Sequence, residues 1–398
     1  MKVGISTFGG DGGKSGISQY VIFLLREFAR MQSNDPKGPR FEVIVHEDEK
    51  DVFAPAALGL ETLCLPASLR PALKNILWHQ TELPRLCRER GYDVLFLPAG
   101  NRRLPFRCPC PTVGMVHDFS ILHVPGKYDR LHHLYITKGL PFLARRLTRV
   151  LAPSESSRQD ILSFARIPAE RVQVIPEAAD TAFYRAIPRP EAEAYVAERY
   201  PALAGRPFLL YVSRIEHPGK NHVRLIRAFA RLKRECRVPH VLLLAGSEWS
   251  GAEAVHAEAD ASGVGSEILF TGFVPRADIP YLYSATDLFV FPSLWEGFGL
   301  PVLEAMSCGA PVACSGVSSL PEVAGDAAIL FDPTDEQDIA RKLGDILSDP
   351  RRRAELARRG QDRSRSFSWE RAAQETMEAM RTACQPTLRK ATTREVVS

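Results

Sequence analysis

Short apolar runs punctuate the chain, each stopped by a glycine, a proline or a polar segment, and most are followed by a stretch with helical spacing. Val3 to Thr7, Phe41 to Val45, Val94 to Leu97, Val113 to Val116, Val150 to Ser154 and Val172 to Pro176 have this form in the first half. Their residues are apolar with little alternation, the pattern of strands buried on both faces of a parallel sheet. After the first of them, Ile17 to Met31 places Tyr20, Val21, Leu24, Leu25 and Phe28 on one face of a predicted helix. The pattern restarts with Phe208 to Val212, Val241 to Ala245, Ile268 to Phe270, Leu288 to Phe291 and Val312 to Cys314. Strands alternating with helices in two blocks predict an α/β protein of two Rossmann-like domains facing across a cleft, with ligands at the carboxyl ends of the strands. Residues 177–206 have few apolar runs and contain Pro188, Pro190 and Pro201, so 181–206 reads as a linker between domains over 1–180 and 207–366.

Composition agrees with two domains, since 398 residues would overload a single core. No apolar run reaches the roughly 20 residues of a membrane span. Met1 leads straight into a strand pattern with no long apolar segment of a secretory signal, so a cytoplasmic protein is expected. The cysteines fall at 64, 87, 108, 110, 236, 308, 314 and 384. Only Cys108 and Cys110 are close, and C-P-C lacks the CxxC spacing of a zinc or redox motif, so reduced thiols and no metal are expected. The net charge of +4 is unevenly spread: residues 101–150 hold nine Lys/Arg against two Asp/Glu. There Lys138, Arg145, Arg146 and Arg149 alternate with Leu140, Phe142, Leu143 and Leu147, a pattern that predicts a basic amphipathic helix. A second such stretch, Arg70 to Arg90, carries Leu73, Ile76, Leu77, Trp78, Leu83 and Leu86. Peripheral contact with an anionic membrane and an ordinary solvated face over a core stripe both fit these stretches. Nucleic acid does not, because no recognition motif or continuous basic tract accompanies the charge.

The chemistry concentrates in D-L-F-V-F-P-S-L-W-E-G-F-G-L-P-V-L-E-A-M-S-C-G-A-P-V-A-C-S-G, residues 287–316. A strand ends at Pro292, a loop follows, and a helix is predicted from Pro301 to Gly309. Glu296 and Glu304 lie eight positions apart with Gly297 and Gly299 between them. Glycines let backbone approach a ligand, and the amides of Phe298, Gly299 and Leu300 precede a helix N-terminus that attracts anions. Carboxylates accept hydrogen bonds from sugar hydroxyls but repel phosphate, so the ligand that suits acids beside such amides is a nucleotide sugar. The alternative is a loop with one solvated Glu and one Glu favoured by the helix dipole. Arg214 and Lys220 follow another strand and flank the Pro218-Gly219 turn, where two cations can converge on a diphosphate. His117 and Asp118 stand at a third strand end, and the glycine-rich stretch from Gly9 to Gly16, with Ser15, only loosely matches a dinucleotide fingerprint.

With these residues assembled, the chain resembles the retaining glycosyltransferases of the GT-B fold, glycosyltransferase family four (glycosyl transferases group 1), over nearly its whole length. The resemblance rests on the E-x7-E pair Glu296 and Glu304, the R-x5-K pair Arg214 and Lys220, S-S-L-P-E-V-A-G-D-A-A at 318–328, V-H-D at 116–118, P-S-E-S-S-R-Q-D-I at 153–161 and V-I-P-E-A-A-D at 174–180. It implies that Glu296 holds donor-sugar hydroxyls, Glu304 the ribose hydroxyls, and Arg214 with Lys220 the diphosphate, supported by the amides of Phe298, Gly299 and Leu300. It also implies that His117 lies beside the sugar, that Gly16 with Ser15 and Asp118 serves the acceptor side, and that Gly272, Phe273 and Val274 line the nucleobase pocket. Residues 367–384 resemble the terminal helix that crosses back onto the first domain, leaving 385–398 as a tail expected to be disordered. Two departures stand out: extra residues Gly10 to Lys14 in the glycine loop, and Glu177-Ala178 where Asn-Gly is usual.

The family implies retaining transfer of a hexose from a nucleotide-sugar donor to a glycan or lipid-linked acceptor. Double displacement with Glu296 as nucleophile ranks second, because diphosphate is already a good leaving group and two cations aimed at it supply the electrostatic term. The absence of a DxD-type carboxylate pair implies a metal-independent enzyme without a cofactor. The V-H-D-F-S-I-L-H-V-P segment resembles bacterial polysaccharide and lipopolysaccharide transferases, often mannosyltransferases, working on the inner face of the cell membrane. A nucleotide-sugar epimerase of the same architecture and a non-catalytic sugar-nucleotide-binding subunit are the alternatives, and release of free nucleoside diphosphate with acceptor present separates them from a transferase.

Overall fold

The computed structural model describes residues 1–9, 16–124 and 133–385. The chain forms two compact units, Met1–Phe119 with Arg130–Glu177 and Ser368–Ser398, and Ser120–Asp129 with Ala178–Phe367.

In the first unit, β1 (Lys2–Ser6), β2 (Arg40–His46), β3 (Glu61–Leu65), β4 (Val94–Leu97), β5 (Thr112–Met115), β6 (Arg149–Ala152) and β7 (Val172–Val174) form one parallel sheet of order β3-β2-β1-β4-β5-β6-β7. Val3, Ile5, Val94, Leu95, Val113, Met115, Val150 and Leu151 are almost fully buried, which is why these strands read as unbroken apolar runs. Strand β3 has no counterpart in the sequence reading. It is an edge strand of the sheet, E-T-L-C-L, with its first two residues exposed, so no apolar run marks it. The helix Gly16–Asn34 buries the predicted face of Tyr20, Val21, Leu24, Leu25 and Phe28. The helix Trp369–Ala383, N-capped by the Ser368 hydroxyl, lies against it, with Trp369 stacked 5.0 Å from Phe23.

The second unit repeats the design with β8 (Phe208–Val212), β9 (Val241–Ala245), β10 (Ile268–Gly272), β11 (Leu288–Phe291), β12 (Val312–Ser315) and β13 (Ile329–Phe331) in the order β10-β9-β8-β11-β12-β13, all parallel. Here too a three-residue edge strand, β13, escaped the sequence reading. The direction of winding reverses between β8 and β11, and a doubly wound sheet binds ligands at the carboxyl ends of such a pair.

Two sequence expectations need correction. Residues 181–206 are not a plain linker: they contain the helix Arg189–Arg199, which buries Ala192 and Val196 and packs on the helix Ile279–Ala285 within the second unit. Pro190 does not break this helix because it stands in the first turn. The basic stretch 138–149 is not one amphipathic helix, since its only α-helical part is Leu140–Ala144 and Arg149 opens β6. In the other basic stretch, of the two readings left open, the core stripe holds for Trp78, which is only 7% exposed with its ring 5.0 Å from Phe8. Residues 386–398 and the glycine-loop residues 10–15, Ser15 among them, lie outside the described residues.

Candidate active site

The carboxyl ends of β8 and β11 bring Lys220 and Glu296 together, Nζ to Oε1 at 2.7 Å. Burial opposes the lysine's charge, but Glu296 and the nearby Tyr211 more than offset it and hold the ammonium well above its ordinary pKa. The two loops that carry the pair are tied to each other. The Leu294 amide donates to the Gly219 carbonyl at 3.0 Å, and Tyr211 OH donates to the Lys220 carbonyl at 2.8 Å. Asn221, in the left-handed region at φ 61°, donates its side-chain amide to the carbonyls of Pro292 (3.0 Å) and Pro333 (2.8 Å). Asn221 was not singled out from sequence. The position after the R-x5-K lysine is a site where Asn tolerates positive φ, and that was the available signal.

Arg214 leaves the same β8 end but points elsewhere. Its guanidinium lies 3.3 Å from the Glu216 carboxylate and 4.8 Å from the Trp249 ring, and its side chain is about half exposed. It is therefore held near the strand end by Glu216 and remains half exposed, whereas Lys220 is largely buried beside Glu296.

The loop after Glu296 is fixed by Ser318 and Ser319. Ser318 Oγ accepts from the Glu296 amide at 3.1 Å, and Ser319 Oγ reaches the carbonyls of Glu296 (3.0 Å) and Phe298 (2.6 Å). These are the serines of S-S-L-P-E, and their local role is to shape the E-G-F-G backbone. Phe298 is buried, and Gly299 caps the helix Leu300–Ser307 at φ 114°. That φ strains any L side chain, and a Cβ there would also lie 2.7 Å from Leu320 Cδ2, displacing the leucine's end, so glycine suits the position. The first-turn amides from Phe298 to Leu300 thus stand at a helix N-terminus a few residues from the Lys220–Glu296 pair.

Glu304, in that helix, sits in a different neighbourhood. Tyr283 OH donates to its carboxylate at 3.4 Å, and Tyr184, Arg276 and Asp180 act on it electrostatically. Desolvation by burial outweighs the help from Tyr184, Arg276 and Tyr283 and raises the carboxyl from 4.5 to about 7. The folded chain therefore keeps a proton that the unfolded chain releases, and this group's contribution to stability falls as pH rises from about 4.5 through about 7, by up to about 3 kcal/mol. Glu304→Gln is expected to melt at a higher temperature than wild type at pH 8 without ligand, while binding nucleotide roughly 10-fold or more weakly. In wild type, nucleotide affinity should rise between pH 6 and 8 as the carboxylate forms, and the variant should show a flat profile by calorimetry. A wild-type profile as flat as the variant's would remove Glu304 from the ribose.

At the carboxyl end of β10, Phe273 is exposed and Val274 buried. In the first unit, His117 follows β5 and is buried, with Nδ1 3.2 Å from Glu177 Oε1 and Nε2 2.9 Å from the Pro98 carbonyl. Both neighbours are acceptors, and together they fix the orientation of the ring. Glu177, noted in the sequence only as a departure from Asn, is thus the residue that orients His117. The Asp118 carbonyl accepts from Asn101 Nδ2 at 2.7 Å, and Gly16 is the exposed first residue of its helix.

Two doubly wound parallel units, with a Lys–Glu ion pair at the switch point of the second, define an α/β protein whose ligand site is expected at those strand ends. Residues 198–363 match the family described as Glycosyl transferases group 1, and residues 14–183 match Glycosyltransferase Family 4. The chain belongs to this glycosyltransferase family and has its GT-B fold. It is 35% identical over 291 residues, 73% of its length and 75% of the relative's, to the O-antigen chain mannosyltransferase B of Escherichia coli. It is 33% identical over 198 residues, 48% of this chain and 50% of the relative's, to a GDP-mannose-dependent alpha-(1-6)-phosphatidylinositol monomannoside mannosyltransferase of Mycolicibacterium smegmatis. The crystal structure of Anabaena Alr3699/HepE in complex with UDP and glucose superposes with a TM-score of 0.73 over 96% of this chain and 100% of that one, at 20% identity.

Proposed function

We propose that this glycosyltransferase moves mannose, with retained configuration, from a nucleoside-diphosphate sugar to a hydroxyl of a glycan or lipid-linked acceptor in polysaccharide or lipopolysaccharide synthesis. The observation that carries the reading is the Lys220–Glu296 pair at 2.7 Å. A diphosphate offers Lys220 a more highly charged partner than Glu296 does. Binding then exchanges the ion pair, and the released carboxylate accepts hydrogen bonds from sugar hydroxyls. Arg214, exchanging Glu216 for phosphate, adds a second cation, and the amides from Phe298 to Leu300 add dipoles. All three act on charge that grows as the sugar–phosphate bond breaks, which is where stabilisation accelerates transfer. A phosphate oxygen takes the acceptor proton during attack on the same face, so neither a protein base nor a metal at the diphosphate is called for. Mannose is favoured over other hexoses by the likeness to the two mannosyltransferases. Transfer from a mixed pool of nucleoside-diphosphate hexoses, with the product's linkage read by NMR, tests this reading.

The same reading places the enzyme on the inner face of the cell membrane by peripheral contact. Among the described residues no helix is long and apolar enough to cross a bilayer. The helix Ala72–Arg90, however, turns Leu73 and Leu77 outward, 82% and 63% exposed, with Ile76 and Lys74 between them. Gln80 of this helix accepts from the Phe106 amide at 2.7 Å, and Phe106 stacks on the exposed Phe142 while the Arg146 guanidinium lies 3.7 Å from the Phe106 ring. Exposed apolar side chains among cations suit an anionic bilayer, at about 1 kcal/mol for each basic group near the surface. Wild type should co-sediment with anionic but not neutral vesicles and be released at 1 M salt, where the Debye length is about 3 Å. The combined change Leu73→Ser, Leu77→Ser and Arg146→Glu should abolish the binding. Equal recovery of wild type and variant would leave these residues an ordinary solvated face.

A further inference from the structure

Three of the eight cysteines converge although they come from two distant stretches. Cys87 lies in the last turns of the helix Ala72–Arg90, and Cys108 and Cys110 precede β5. Cys108 Sγ is 3.5 Å from Cys110 Sγ and 3.8 Å from Cys87 Sγ, and all three sulfurs lie within 4.8 Å of one another. The helix holds the intervening loop in place: Asn75 Oδ1 accepts from Arg103 Nε at 2.7 Å, and Gln80 donates to the Leu104 carbonyl at 3.1 Å and accepts from the Phe106 amide. Sequence spacing could not reveal the cluster, since Cys87 and Cys108 are 21 residues apart and C-P-C alone has no metal-binding period.

We infer that Cys87, Cys108 and Cys110 form a trithiolate site for one soft cation, Zn²⁺ or Cu⁺. With metal–sulfur bonds of about 2.3 Å, two thiolates on one tetrahedral ion lie about 3.8 Å apart, close to the observed spacings. A disulfide would need the sulfurs at about 2.05 Å. Thiolates and not thiols bind soft metals, so binding would release the thiol protons. No fourth His, Cys, Asp or Glu joins the group among the described residues, which leaves a trigonal Cu⁺ or a Zn²⁺ with one position for a small external ligand. The cluster sits at the amino-terminal edge of the sheet, beside the start of β5, whereas His117 follows that strand's carboxyl end. The ion would therefore staple the helix to the strand and take no part in sugar transfer.

The test is titration of the reduced, chelator-stripped full chain with Zn²⁺ and, separately, with Cu⁺ delivered from a chromophoric chelator. One equivalent of one ion should bind, raise Tm and slow alkylation of Cys108 in wild type roughly 10-fold or more, as mapped by mass spectrometry. Cys87→Ser, Cys108→Ser and Cys110→Ser should each lose at least about 100-fold in metal affinity, since even an outer partner is worth about 10- to 100-fold. Cys64→Ser and Cys236→Ser should bind as wild type does. If a cluster variant fails to fold, the alkylation measurement on wild type decides alone. Unprotected Cys108 with both ions would overturn the site, as would equal affinity in all variants, and a disulfide joining two of the three in freshly isolated protein would make the cluster a redox pair instead.

Discussion

Glu296→Gln is expected to lower turnover on the order of 100- to 1,000-fold while leaving nucleoside-diphosphate affinity within about 3-fold of wild type. The amide keeps a neutral oxygen for Lys220, so the loop that Ser318 and Ser319 hold should keep its shape. What disappears, on the proposed role of Glu296, is the charged acceptor for the sugar hydroxyls, whose effect should grow as positive charge develops on the sugar ring. Steady-state kinetics beside calorimetry with free nucleoside diphosphate checks this. A raised KM with unchanged kcat would mean that Glu296 binds ground and transition states alike, and its assigned role would be wrong.

Lys220→Ala should act on affinity as well as on rate. Removing a charge-assisted contact to the diphosphate costs about 1.5–3 kcal/mol, roughly 10- to 150-fold in nucleotide binding. It also leaves the Glu296 carboxylate without its counter-ion, so its negative charge should disfavour an incoming diphosphate. The double variant Lys220→Ala, Glu296→Gln should therefore bind nucleoside diphosphate better than Lys220→Ala alone, although neither transfers sugar. Arg214→Ala should be milder than Lys220→Ala, because its guanidinium is half exposed and already shared with Glu216. Additive losses in the double variant would show that the two residues do not exchange partners when donor binds.

The sequence exposed those parts of the molecule whose physics is local. Buried central strands such as Leu288–Phe291 are unbroken apolar runs, and Pro301 with Gly309 marks the helix Leu300–Ser307 to within two residues. The edge strands Glu61–Leu65 and Ile329–Phe331 were hidden, because one half of an edge strand's surroundings is solvent and its apolar pattern is diluted. The helix Arg189–Arg199 was hidden by its prolines, which from sequence look like a linker but stand before and within a first turn. At the site, residue types and spacings pointed to Glu296, Glu304, Arg214 and Lys220, but not to which of them touch. That Lys220 pairs with Glu296 while Arg214 pairs with Glu216 depends on two loops meeting at a switch point 76 residues apart in sequence. Burial was equally out of reach: it assigned Trp78 to the core stripe of its helix while leaving Leu73 and Leu77 exposed, and it raised the Glu304 carboxyl to about 7.

Retaining transfer of mannose from a nucleotide sugar, proposed for the Lys220–Glu296 site, can be checked by a competition between donors. Wild type and Glu296→Gln are each supplied with an equimolar mixture of GDP-α-mannose, UDP-glucose and UDP-N-acetylglucosamine together with lipid-linked glycans from a bacterial inner membrane, and the glycan product is analysed by NMR. A new α-linked mannose is expected with wild type, with consumption of the mannose donor alone and almost no product with Glu296→Gln. A β-linked product, or consumption of another donor in place of the mannose donor, would contradict the proposal, as would equal product from the two proteins.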